Sequence, residues 1–100
     1  MPSGKGRAKK DPGKIEKQFT VTNKLGLHAR PAALFVQTAN RFEADIEIQK
    51  EDLKADGKSI MGIMTLAAEM GSQIFIRAAG KDAEQALEAL GKLIESNFGE

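Results

Sequence analysis

The chain has one histidine, His28, within the stretch LGLHARPA that runs from Leu25 to Ala32. A free imidazole titrates near pH 6.5, so close to neutrality it offers an uncharged, nucleophilic nitrogen. Arg30 follows two residues later with a permanent charge and a planar fork suited to phosphate. Beyond Pro31, the residues Ala32, Phe35, Val36 and Ala39 recur at helical spacing, and proline is tolerated in the first helical turn. His28 and Ala29 therefore stand at the opening of a helix, where backbone N–H groups and the positive dipole end attract anions. This pattern suits an imidazole that attacks a phosphoryl group, with the helix end and Arg30 holding the phosphate while the P–N bond stays easy to break. Position alone fits a plain surface residue next to a helix start equally well. No paired carboxylate or second general acid lies beside His28 in sequence. That argues against a self-contained hydrolase and favours a carrier on which other enzymes act.

A second stretch, GKSIMGIMTLAA from Gly57 to Ala68, places Ser59 ahead of an apolar-periodic run. A serine there is a common N-cap, its oxygen accepting a backbone N–H that the helix leaves open. The spacing predicts a helix over 60–69, ended by Gly71 as the residue after the cap. With Ile63, Leu66 and Ala67 turned to the core, Ile60, Met61 and Met64 remain for the surface, where flexible methionines suit several partners.

The elements that must position these residues follow from periodicity. Ile15 to Val21 alternates as a strand, with Ile15, Lys17, Phe19 and Val21 on one side. The segment 23–26 breaks it. Strands follow over 44–48, 53–55 and 74–78, and a helix runs from Ala83 to about Ser96, with Asp82 and Gln85 in the pattern of a capping box. The order is β-α-β-β-α-β-α. Clean alternation implies a four-stranded antiparallel sheet with one face wet and three helices on the other, an α+β open-faced two-layer sandwich.

Composition bounds the rest. One hundred residues with no cysteine suit one small domain, exclude disulfides and thiolate metal sites, and fit a reducing cytosol. One histidine makes a structural metal site improbable, so no metal or cofactor is expected. No apolar run approaches a membrane span and the N-terminus lacks a secretory signal, so a cytoplasmic protein without membrane insertion is expected. Net charge is +1, but six basic residues face Asp11 and Glu16 over 1–17, while nine basic and twelve acidic residues fill 18–100. Residues 1–14 read as a flexible basic extension and 15–100 as the domain. The extension could serve as a nucleic-acid arm, but it lacks aromatic residues and the remainder is acidic, so no nucleic-acid partner is expected.

LGLHARPAA, then GKSIMGIMTLAA, then a Gly-Xaa-Asp-Ala opening of the last helix together closely resemble the histidine-containing phosphocarrier (HPr) family of the bacterial phosphoenolpyruvate:sugar phosphotransferase system, over about residues 15–100. The resemblance implies a monomeric phosphoryl carrier rather than an enzyme. By position, His28 matches the histidine phosphorylated on Nδ1 by Enzyme I and relieved of its phosphate by EIIA domains of sugar permeases. Arg30 matches the active-centre arginine, and Pro31 the helix-opening proline. Ser59 matches the serine modified in many bacteria by an HPr kinase/phosphorylase. Ile60, Met61 and Met64, together with Leu27, match the apolar docking surface. A phosphate on Ser59 would place a dianion beside that surface and weaken docking to an acidic Enzyme I. Leu25 stands where many members carry a small polar residue. Two relatives of this reading are a carrier of the nitrogen-related phosphotransferase branch and a non-transferring regulatory binder acting through Ser59. Members of the latter kind replace the active histidine.

Overall fold

The computed structural model describes residues 14–99. The basic extension expected over 1–14 lies outside the described residues except for Lys14, which opens the first strand. The elements are β1 (Lys14–Thr20), α1 (Ala29–Ala39), β2 (Asp45–Lys50), β3 (Leu53–Asp56), α2 (Ile60–Thr65), β4 (Gln73–Ala79) and α3 (Ala83–Glu95), closed by a single 3-10 turn at Asn97–Gly99. The strands lie in the order β1-β4-β2-β3, every neighbouring pair antiparallel. The expected architecture and element order are both present.

Alternation in the strands decides the layering. Ile46, Ile48, Ile74, Ile76 and Ala78 point under the helices and are buried, while their neighbours face out. On the outer face Arg77 bridges three strands. Its Nε donates to Glu16 at 2.9 Å, and one terminal nitrogen donates to Glu47 at 3.0 Å and Gln49 at 2.8 Å. Lys17 interrupts the apolar side of β1, and its Nζ lies 5.3 Å from the Phe19 ring centroid, a cation–π contact that leaves the ammonium at the surface. Helix α3 buries Ala83, Ala86, Leu87, Leu90 and Ile94. Gly91 lets it lie close on β1, since a Cβ there would meet the Phe19 ring at 3.1 Å. Among the described residues no helix is long and apolar enough to cross a membrane, and no group of three or more His, Cys, Asp or Glu side chains could hold a metal ion.

Two local expectations are corrected. Helix α2 stops at Thr65 rather than running to Glu69, because Ala67 adopts a left-handed φ of 53° directly after the Leu66 cap. The carbonyls that follow the helix are taken by tertiary partners. Lys50 Nζ donates to Leu66 O and Ala67 O, each at 3.2 Å, and Leu27 N–H donates to Ala68 O at 2.9 Å. Ala67 is consequently exposed and Ala68 takes the buried place. Gly71, expected to end the helix, instead turns the chain into β4, its N–H donating to Val21 O at 2.7 Å.

Asp82 is the residue before α3, but its side chain makes no cap bond. Its two carboxylate oxygens accept from the backbone N–H groups of Glu43 and Ala44, each at 2.9 Å, tying the loop before β2 to the start of α3. These bonds, that from Glu43 above all, hold the carboxyl below its ordinary value. A group whose folded-state pKa is depressed stabilises the fold above its unfolded value and loses that contribution as pH falls through the folded one. Asp82→Asn is therefore expected to flatten the acid limb of the stability curve. Melting temperature followed from neutrality down to about pH 3 checks this, since free aspartate titrates near 3.9. A variant that loses stability on acidification as steeply as the wild type would refute it.

Candidate functional site

Residues 21–28 form a loop that folds back on itself before α1 begins. Gly26 N–H donates to Asn23 O at 3.1 Å, and the Asn23 side-chain amide donates to Gly26 O at 2.6 Å. Asn23 is 3% exposed, a buried turn residue that the sequence marked only as a strand breaker. Asparagine three residues before glycine is the signal that was available, since its side chain can close a turn onto its own backbone. Gly26 has φ 71°, and a Cβ there would fall 2.3 Å from Ala68 O. The loop thus lies directly on the segment that leaves α2. Val21 N–H to Ser72 O and Leu27 N–H to Ala68 O, both 2.9 Å, join the two. At the far end Thr22 Oγ1 donates to Asn97 Oδ1, linking the loop to the closing 3-10 turn, where Phe98 is buried.

His28 is the N-cap residue of α1. Its backbone is extended and its carbonyl accepts Ala32 N–H at 3.0 Å, while its side chain makes no cap bond. The imidazole is half-buried with Nε2 enclosed. Ala29 and Arg30 follow, both exposed, and Pro31 is buried. In an α-helix the first N–H groups have no intrahelical acceptor. Here those belong to His28, Ala29 and Arg30, because Pro31 has none to offer.

A cavity of about 260 Å³ opens beside the imidazole, lined by Leu25, Leu27, His28, Met64, Ala67, Ala68 and Glu69. Loop and α2 thus supply one depression together. Of the docking residues expected from sequence, Met61 is 71% exposed, Ile60 41% and Met64 38%. Leu27 differs. At 4% exposure it is a core residue that shows only an edge to the cavity, because its N–H bond to Ala68 draws it under the loop. Leu25, 71% exposed, takes the outer place instead. Leu25 entered only as a departure from the family pattern, and Ala67, Ala68 and Glu69 entered no expectation about the site. Only the left-handed stop at Ala67 brings the last three beside His28, and no pattern in the sequence marks that stop.

Ser59 caps α2 as expected. Its Oγ accepts from Gly62 N–H at 3.0 Å, a bond that typically stabilises a helix by about 1 kcal/mol. Ser59 does not line the cavity next to His28. It opens the helix whose Met64 does.

Comparison with known proteins shows the family. The family model for the HPr component phosphorylation site of the phosphotransferase system matches residues 15–96. The HPr-like protein Crh of Halalkalibacterium halodurans is 53% identical over 81 residues, 81% of this chain and 96% of that protein. Phosphocarrier protein HPr of Xylella fastidiosa is 44% identical over 86 residues, 86% of this chain and 97% of its own length. The crystal structure of a phosphocarrier protein HPr from Bacillus anthracis superposes with a TM-score of 0.78 at 56% identity, covering 81% of this chain and 96% of that one. With the family model spanning residues 15–96 and relatives matched over nearly their whole length, the chain belongs to the HPr family of phosphotransferase-system phosphocarriers.

Proposed function

We propose that this chain carries phosphoryl groups on His28, taking them from phosphorylated Enzyme I and passing them to EIIA domains. The single observation that carries the reading is His28 itself, an imidazole at the N-cap of α1 that makes no cap bond and faces a cavity shared with α2. By the family resemblance the accepting nitrogen is Nδ1, and Nε2 is the enclosed one. In the transfer a P–N bond forms at Nδ1 as the donor's own bond to phosphorus breaks, and no water enters. In this reading the charge spread over the moving phosphoryl oxygens meets the Ala29 and Arg30 N–H groups at the positive end of α1, and the exposed Arg30 side chain, two residues from His28, reaches the phosphate when it is bound. The same contacts hold the product, and His28 becomes the leaving group for the next acceptor.

Exposed Ile60, Met61 and Met64 of α2 supply the apolar surface on which a partner domain would seat; Met64 and the exposed Leu25 line the cavity beside the acceptor. Every residue this reading uses lies in one copy of the chain, so a monomer in the cytoplasm suffices, with no cofactor. Similarity to an HPr-like protein Crh as well as to HPr proteins supports a second role through Ser59. A kinase that phosphorylates it would replace the cap hydroxyl with a dianion at the start of the docking helix and oppose binding of an acidic partner.

Incubating the protein with Enzyme I and phosphoenolpyruvate tests the reading. One acid-labile phosphate per chain is expected, transferable to an EIIA domain. A chain that takes no phosphate under these conditions is not a carrier of this chain of reactions. With an HPr kinase and ATP, an acid-stable phosphate absent from Ser59→Ala is expected. If the wild type takes acid-stable phosphate but no acid-labile phosphate, the regulatory reading replaces the carrier reading.

A further inference from the structure

We propose that Lys50, the last residue of β2, is a positioning residue for His28. The proposal rests on the reading of His28 as the phosphoryl acceptor, and it adds a residue far from it in sequence. Lys50 is anchored by the sheet, where it pairs with Leu53 at the β2–β3 turn. From there its ammonium crosses to the C-terminal end of α2 and donates to two successive carbonyls, Leu66 O and Ala67 O, each at 3.2 Å. The next carbonyl, Ala68 O, accepts the Leu27 N–H at 2.9 Å, and Leu27 immediately precedes His28. The order of contacts is therefore Lys50, then the backbone of 66–68, then Leu27, then the acceptor.

This segment needs holding. Ala67 is left-handed at φ 53°, a conformation that side-chain-bearing residues disfavour. An ammonium donating to the last carbonyls of a helix also meets the negative end of its dipole. The same segment receives Gly26, whose Cα lies so close that a Cβ would sit 2.3 Å from Ala68 O. A shift of Ala68 is thus passed to both Gly26 and Leu27 and turns the imidazole relative to the cavity floor made by Ala67 and Ala68. Lys50 itself does not line that cavity, so its effect is indirect.

The test compares the wild type with Lys50→Met, which keeps the aliphatic stem but removes the charge and donors, and with Lys50→Arg, which retains them. Hydrogen exchange of the Leu27 amide and the ring signals of His28 in NMR spectra need no phosphate, so they report on positioning whether or not the protein is a carrier. In Lys50→Met the Leu27 amide is expected to exchange on the order of 10-fold faster and the His28 ring signals to shift, while amides of the β1–β4 pair keep their protection. In the transfer assay the rate at saturating Enzyme I falls several-fold with half-saturation little changed, and Lys50→Arg restores most of both effects. Wild-type Leu27 exchange and unshifted His28 signals in Lys50→Met overturn the proposal. Equal acceleration at Leu27 and throughout β1 and β4 also overturns it, since that describes general destabilisation. Failure of the wild type to accept phosphate would instead strike the carrier reading and leave the exchange result to stand or fall by itself.

Discussion

His28→Ala is expected to accept no acid-labile phosphate, so that labelling by Enzyme I and phosphoenolpyruvate falls from one group per chain to none. The expectation is all-or-none because the chain contains no second imidazole and the cavity beside α1 offers no other nucleophile of comparable strength. Its lining comprises aliphatic side chains, Met64 and the Glu69 carboxylate. Removing an acceptor differs from weakening a contact. Losing one charged hydrogen bond costs about 1.5–3 kcal/mol, or 10- to 100-fold in rate, whereas losing the atom that forms the bond to phosphorus leaves no route. The fold should survive. The imidazole makes no cap bond, and the bond from Ala32 N–H goes to the backbone carbonyl of residue 28, which alanine retains. A melting temperature within a few degrees of the wild type, as for a change costing under about 1 kcal/mol in a domain of this size, makes the assay interpretable. Acid-labile label persisting on the alanine variant would remove His28 from its role.

Gly26→Ala is expected to damage both the fold and the site, for a reason that one methyl group makes visible. Two costs combine. The backbone at φ 71° penalises a Cβ, typically by about 1–2 kcal/mol. The same Cβ would lie 2.3 Å from Ala68 O and 2.9 Å from the Cα of Glu69. Both of these are backbone atoms that cannot rotate away, and overpacking of this kind usually costs a further 1–3 kcal/mol or so. The loop can escape only by moving off the 66–69 segment, which breaks the Leu27-to-Ala68 bond and displaces the acceptor. A fall in melting temperature of about 10 °C or more is expected, together with a phosphoryl-transfer rate that drops even when measured where the variant is fully folded. Denaturant unfolding and the transfer assay, run side by side, separate the two effects. Unchanged stability would show that the loop tolerates the methyl group, and the close approach at Ala68 would then not govern the site.

The chemistry was legible in the sequence to an unusual degree because its parts are local. His28, Arg30 and Pro31 fall within four residues, and Ser59 precedes its own helix. The signals that place them, a proline in a first turn and a serine before an apolar run, act within one helical turn of the residue concerned. The sheet was equally legible, since Ile46, Ile48, Ile74 and Ile76 alternate with polar neighbours and burial on one face leaves little choice of register. Where reading failed, a long-range partner had overruled a local preference. The run from Ile60 to Glu69 has the periodicity of a longer helix, but the chain turns left-handed at Ala67 and leaves the helix at Thr65, in a segment whose carbonyls accept from the distant Lys50 ammonium and Leu27 N–H. Asp82 has the form of a cap, but the backbone N–H groups of Glu43 and Ala44, about 40 residues distant, present its carboxylate with two donors at once. Leu27 has the look of a surface contact until the loop folds under itself.

The sequence by itself determined which residues can do chemistry, the order of the elements and the face of each strand that is buried, because periodicity and helix-end signals are properties of neighbours along the chain. The tertiary structure alone decided that Leu25, Leu27, Met64 and residues 67–69 meet at His28. That meeting depends on a left-handed alanine, on a glycine lying against another segment's carbonyl, and on a lysine reaching across from the sheet. Each of these is a contact between residues that the sequence keeps far apart, and its energy exists only once the layers have closed.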